Sequence, residues 1–174
     1  MRKTVLMGAV LGAVVLALIG GSIARADKGD NDRKGSSKGN LDGYQETPSI
    51  STAGRGDFRV DIDGTTIRFR LRYEGLEGGA VGAAHLHFGQ RHTAGAVIAF
   101  LCGGGGKPAC PASGTVEGTI VAADVIGPAA QGIATGQFDE LVRAIRAGAV
   151  YVNVHTATYP GGEIRGQLRG RGKD

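Results

Sequence analysis

Two runs of strictly alternating apolar and charged residues, joined by Asp63-Gly64, constrain this chain more than any other feature. Phe58, Val60 and Ile62 alternate with Asp57, Arg59, Asp61 and Asp63, and Ile67, Phe69, Leu71 and Tyr73 alternate with Arg68, Arg70 and Arg72. A period of two marks a strand with one face buried and one wet. Asp-Gly is a preferred pair for a two-residue type I′ turn. A hairpin with that loop sets Ile62 against Thr65, Val60 against Ile67 and Phe58 against Phe69. On its other face Asp57 meets Arg70 and Asp61 meets Thr66. A slip of one residue would mix the two faces. The arginine stripe has acids beside it, so it reads as a solvated sheet face rather than a polyanion site.

Shorter strand-like segments follow at 83–89, 96–101, 115–122, 149–156 and 163–169, the last two bracketing Tyr159-Pro160-Gly161-Gly162. One helix is expected at 138–147. There Phe138, Leu141, Val142 and Ile145 fall at i, i+3, i+4 and i+7 and make a single apolar stripe. Asp139 and Glu140 suit its N-terminal end, Arg143 and Arg146 its C-terminal end, and Gly148 stops it. Many short strands with turn residues between them predict an all-β fold, an antiparallel β-sandwich or barrel-like domain with one short α-helix.

The N-terminal region reads as a leader. Arg2 and Lys3 precede an apolar run from Val5 to Ile19, and Ala24-Arg25-Ala26 has the small-x-small pattern of a signal peptidase site. Residues 1–26 are therefore expected to be a cleaved signal peptide and the product to be secreted or periplasmic. An uncleaved anchor is the weaker alternative, because a span needs roughly 20 apolar residues. Residues 27–40 carry no apolar side chain and are expected to be a disordered linker. The folded domain is expected at 41–170. Arg2, Lys3 and Arg25 leave with the leader and no acid does, so 20 basic against 16 acidic residues become 17 against 16. That balance, with aromatics at 5%, argues against a nucleic-acid partner. The expected partner is an extracellular ligand or protein, and no stable membrane anchor remains after cleavage. Cys102 and Cys110 are expected to form a disulfide, as suits an oxidising compartment.

The candidate chemistry lies in the histidines. In His85-Leu86-His87 the two imidazoles share one face of a strand, with backbone positions roughly 6.5–7 Å apart. In the strand at 149–156, Tyr151, Asn153 and His155 share the face opposite Val150, Val152 and Val154. A hairpin closing through 157–161 places His155 opposite Glu163 and Asn153 opposite Arg165. Two readings stay open. In one, His85, His87 and His155 hold copper or zinc, with Glu163 as a fourth ligand or an orienting carboxylate and Asn153 and Arg165 behind them. In the other, these residues are a hydrogen-bonded structural cluster in which Glu163 pairs with Arg165. His92 reads as an exposed loop residue. No Ser stands in a G-x-S-x-G elbow, and the Gly-rich stretch 103–106 leads to no phosphate-binding helix.

From about Leu41 to Arg169 the chain resembles the CHRD domain, the module named after chordin. The resemblance rests on Leu41-x-Gly43-x-Gln45-Glu46-x-Pro48, on Ala83-Ala84-His85-Leu86-His87-Phe88-Gly89, and on Gly127-Pro128 with Gln131-Gly132-Ile133. It rests most of all on Ala147-Gly148-x-x-Tyr151-Val152-Asn153-Val154-His155-Thr156, continuing into Pro160-Gly161-Gly162-Glu163-Ile164-Arg165-Gly166-Gln167. The resemblance implies a secreted β domain of microbial type. It brings none of the cysteine-rich modules found beside it in chordin, so growth-factor antagonism is not carried over. Ala84 to Gly89 with Val154-His155 also looks like the copper-binding strands of copper–zinc superoxide dismutases. Only His92 is spare for that family's bridging and zinc ligands, so an ordinary bimetal enzyme is not implied. The expected function is a non-enzymatic binding or structural module; the alternative is a copper-dependent redox protein.

Overall fold

In the computed structural model, residues 34–170 are described; the expected leader at 1–26, and residues 27–33 of the expected linker, lie outside them. Among the described residues the strands are β1 (Lys34–Asp42), β2 (Arg55–Asp63), β3 (Thr66–Glu74), β4 (Val81–Phe88) and β5 (Ala96–Cys102). They continue with β6 (Gly114–Ile120), β7 (Val150–Thr156), β8 (Ile164–Gln167) and the two-residue β9 (Arg169–Gly170). One α-helix, α1 (Phe138–Arg146), precedes β7. The sheet runs β5-β4-β7-β8-β1-β2-β3-β6, with β9 also paired to β1. All recorded pairings are antiparallel. The sheet curls until β5 and β6 touch, which makes it a nearly closed barrel. Where the ladder fails to close, the segment after β6 fills in, with Ile126 N donating to Ile98 O at 2.8 Å.

The apolar alternation builds the core as expected. Phe58, Val60, Ile67, Leu71, Leu86, Ile98, Val152 and Ile164 turn inward and are buried. Helix α1 adds Phe138, Leu141, Val142 and Ile145 from its single apolar stripe. Outside, the arginine stripe of β2 and β3 is neutralised locally. Arg55 and Arg72 pair with Glu74, Arg59 with Asp61, Arg68 with Asp63 and Arg70 with Glu117.

Two expectations are corrected. The β2–β3 hairpin forms, but its register is displaced by two residues: Val60 lies opposite Phe69 and Phe58 opposite Leu71. Gly64 and Thr65 are the loop. Gly64 has φ 61° while Thr65 keeps an ordinary φ, the pattern of a type II′ turn. A displacement of two leaves every side chain on its expected face, so Asp57 merely exchanges Arg70 for Arg72. The second correction concerns the linker. Residues 34–40 are not a tether; they belong to β1, which pairs with β2 along its whole length, from Lys34 opposite Asp63 to Asp42 opposite Arg55. Ser37, Gly39 and Leu41 face inward. At Gly39 the Gln167 carbonyl stands where a Cβ would be, 2.6 Å away, so a side chain there would push β8 off. Small inward residues let the strands approach, and order comes from the backbone ladder rather than from apolar side chains.

Candidate metal centre

Strands β4, β7 and β8 lie side by side, and His85, His87, Tyr151, Asn153, His155 and Arg165 project from one face of them. The registers fix this: His87 is opposite Tyr151, His85 opposite Asn153, Ala83 opposite His155, and Asn153 opposite Arg165 as expected. The other face of the same strands carries Leu86, Val152 and Val154 into the core. The polar face is not left to water. Loops at 43–54, 77–80, 89–95 and 157–162 cover it, and Asn153 and Arg165 are buried as fully as the valines beside them.

Three imidazoles meet there. One nitrogen from each of His85, His87 and His155 lies within 4.8 Å of the other two. His85 Nδ1 and His155 Nε2 are 3.0 Å apart. Backbone carbonyls, which only accept, settle two of the tautomers. His87 Nδ1 donates to Gly95 O at 3.0 Å, and His155 Nδ1 donates to Pro160 O at 3.0 Å. Each ring therefore presents an unprotonated Nε2 to the centre. His87 Nε2 is buried and has no partner. His85 bridges the gap by donating Nδ1–H to His155 Nε2, and its own Nε2 is buried without a partner. Burial lowers the pKa of all three rings. His85 falls to about 3, helped by repulsion from His155 and His87. His87 falls to about 4, against the pull of its Gly95 bond. His155 is lowered too, against its Pro160 bond. All three are neutral at pH 7, the state in which imidazole binds metal.

A second layer holds the rings in place. Tyr151 lies flat on His87, with centroids 4.8 Å apart and planes 8° from parallel. Its hydroxyl donates to Gly95 O and accepts from Gly95 N, so Tyr151 and His87 grip the same peptide group. Gly95 has no alternative residue, since a Cβ would run into the Phe88 carbonyl. The Arg165 guanidinium stands 3.5 Å over the Tyr151 ring and donates to the carbonyls of Gln90 and Thr93, clamping the loop that carries Gly95. Asn153 donates to Gly161 O and steadies the turn that presents Pro160 O. On the far side Phe100 of β5 meets His85 edge-on at 4.5 Å. Gly104 and Gly105 in turn pack on Phe100, and neither has room for a side chain there. Those glycines belong to the loop closed by the Cys102–Cys110 disulfide, which is present as expected.

Glu163 does not stand with the histidines. Its carboxylate accepts from the Thr52 and Thr156 hydroxyls and from the backbone N–H groups of Glu77 and Gly78. Burial opposes its charge, but these four donors prevail and hold its pKa below the ordinary value. The residue expected as a fourth ligand or orienting carboxylate is instead a knot tying the loop at 77–78 to β7. It makes no ion pair with Arg165, whose guanidinium donates to Thr47 Oγ1 and to the Gln90 and Thr93 carbonyls instead. His92 lies in the loop, exposed, with φ 63°, and is outside the trio. Sequence reasoning missed Gly95, Pro160 and Phe100. Tyr151 was in view, because it shares the alternation of Asn153 and His155.

Three neutral imidazoles, two with their tautomers locked by carbonyls, form a donor set that suits copper and zinc alike. Nitrogens sharing one ion at about 2.0–2.1 Å stand roughly 3.3 Å apart in tetrahedral geometry. The His85–His155 pair, at 3.0 Å, is close to that spacing, and the His87 nitrogen lies within 4.8 Å of both. The model of the CHRD domain matches residues 38–168. No curated protein and no solved structure matches the chain.

Proposed function

The chain belongs to the CHRD domain family, and on that premise we propose that it is an exported, non-enzymatic module whose three-histidine centre holds one transition-metal ion, copper in preference to zinc. The observation that carries the reading is the convergence of three neutral imidazole nitrogens, two of them aimed by carbonyl-bound Nδ1–H groups. Copper is preferred because a given nitrogen site binds Cu²⁺ more tightly than Zn²⁺. His85 would ligate through Nδ1 in the tautomer that carries its proton on Nε2, and His87 and His155 would ligate through Nε2. The ion would supply a fixed positive charge and a link between β4 and β7. Export fits the disulfide, which persists only in oxidising compartments. The leader would be cut after Ala26. Among the described residues no helix is long and apolar enough to cross a membrane.

The test is metal content. Protein purified with its disulfide intact is analysed for copper and zinc per chain, beside His155→Ala. Near-stoichiometric metal that disappears in the variant supports the site. Protein that neither carries metal nor takes up added Cu²⁺ or Zn²⁺ refutes it, and leaves the trio as a structural cluster.

A second reading is a copper-dependent redox protein. The observation favouring it is the donor set, one Nδ1 from the first histidine of His-x-His and Nε2 from the other two, with a buried arginine close enough to depress the His87 pKa. Loaded protein that removes superoxide faster than free Cu²⁺, and loses this in His87→Ala, would establish the redox reading over the non-enzymatic one.

A further inference from the structure

A second polar feature lies away from the histidines. On the outer face of β1, next to β8 and β9, a groove of about 450 Å³ is lined by Lys38, Asn40, Arg91, Gln167 and Arg169, with Asp42 and Gln45 at one end. Its size is that of ordinary ligand clefts, roughly 300–1,000 Å³. Its cations differ from those of the β2–β3 stripe. Each arginine of the β2–β3 stripe has an acid against it. Lys38, Arg91 and Arg169 have none among the described residues, and all three are exposed. Asp42, held by the backbone and side-chain nitrogens of Gln45, offsets only part of this charge: three cations face one carboxylate. Behind the groove wall Gln167 is fixed in place. Gln167 is 8% exposed; its Nε2 is committed to the Gly89 and Gly148 carbonyls, and its Oε1 has no donor.

We propose that this groove binds an acidic oligosaccharide, a chain bearing carboxylate or sulfate groups with hydroxyls between them. The three cations come from separate elements, β1, the loop at 89–95 and β9, and are interleaved with the amides of Asn40 and Gln167. Lys38 and Arg169 are cross-strand partners, and the exposed Asn40 amide beside them suits a ligand that carries hydroxyls between its charges. No aromatic residue lines the groove, so it offers no stacking platform of the kind single-stranded nucleic acid uses.

The experiment is calorimetric titration of the whole exported protein with hexagalacturonate, a heparin-derived hexasaccharide, maltohexaose and a hexathymidylate. It is paired with a triple variant, Lys38→Glu/Arg91→Glu/Arg169→Glu. All three positions are exposed, and circular dichroism checks that the variant is folded. The wild type should bind at least one acidic hexasaccharide, more weakly as salt rises, and the variant at least about tenfold more weakly. Whichever acidic probe binds identifies carboxylate or sulfate as the group recognised. Equal binding of maltohexaose, tighter binding of hexathymidylate, undiminished binding by the folded variant, or no binding of either acidic probe by the wild type would each overturn the proposal.

Discussion

Glu46 offers a quantitative test of how the polar face is assembled. It is 6% exposed, and its Oε1 has no hydrogen-bond partner. Asn153, with an equally unpartnered Oδ1, shares the space over Gly162 with it. Two buried acceptors side by side are costly unless one carries a proton. Burial raises the Glu46 pKa from 4.5 to about 7, against the opposing influence of Arg165, the Thr47 N–H and Asn153. The folded state thus holds the proton more tightly than the unfolded chain. Its stabilising contribution is complete below pH 4.5 and is lost as the pH rises through about 7. A displacement from 4.5 to about 7 is worth roughly 3 kcal/mol, of which about 2.5 kcal/mol falls between pH 5 and pH 8. Glu46→Gln keeps the shape and cannot ionise. Metal-free wild type and variant should be unfolded with urea at both pH values, so that the histidines contribute equally to each. The variant should gain about 2.5 kcal/mol on the wild type from pH 5 to pH 8, or about 8 °C in midpoint on heating. Parallel pH profiles for the two proteins would refute a buried, protonated Glu46.

Four further outcomes follow from the same structure. Cu²⁺ at about 100 times its Kd should stabilise the wild type by about 2.7 kcal/mol in thermal melts and leave His155→Ala unmoved. Metal-free wild type should lose stability on acidification below pH 6.5, because the three rings stay neutral when folded and charge when unfolded, with their folded pKa values at about 3 and 4 for His85 and His87; an acid limb as steep in a His85→Phe/His87→Phe variant would contradict this. Gly95→Ala should cost about 1–3 kcal/mol in urea unfolding and weaken copper uptake as well, since the Phe88 carbonyl must move and carries the loop with it. Removing the disulfide by Cys102→Ser/Cys110→Ser should cost about 2.5 kcal/mol, the closure entropy of a loop spanning eight residues of separation.

The sequence made the architecture readable wherever side chains alternate strongly, and failed where backbone decides. The β2–β3 faces could be assigned from Phe58, Val60, Ile67 and Phe69, yet not their register. A displacement of two preserves every face, and Gly64 serves either a I′ or a II′ turn. Strand β1 was unreadable because Ser37 and Gly39 occupy its inward positions, and smallness required by close strand approach looks the same as linker composition. The histidine trio was readable because His85, His87 and His155 inherit their face from strand periodicity and from the Asn153–Arg165 register. Its supports were not. The carbonyls of Gly95 and Pro160 carry no residue-type signature, and Glu163 gave no sign that four donors from distant loops would claim it.

The seam between β5 and β6 links folding to the cell's redox chemistry. The Cys102–Cys110 loop leans across it: Lys107 Nζ donates to Thr119 O at 2.9 Å and pairs with Asp124 at 2.9 Å. Reduction of the two thiols would loosen that clasp and uncover the β6 margin of N–H and C=O groups, a template for another chain's strand. Copies held with the thiols reduced would then tend to join edge to edge, while copies with the disulfide formed would stay separate.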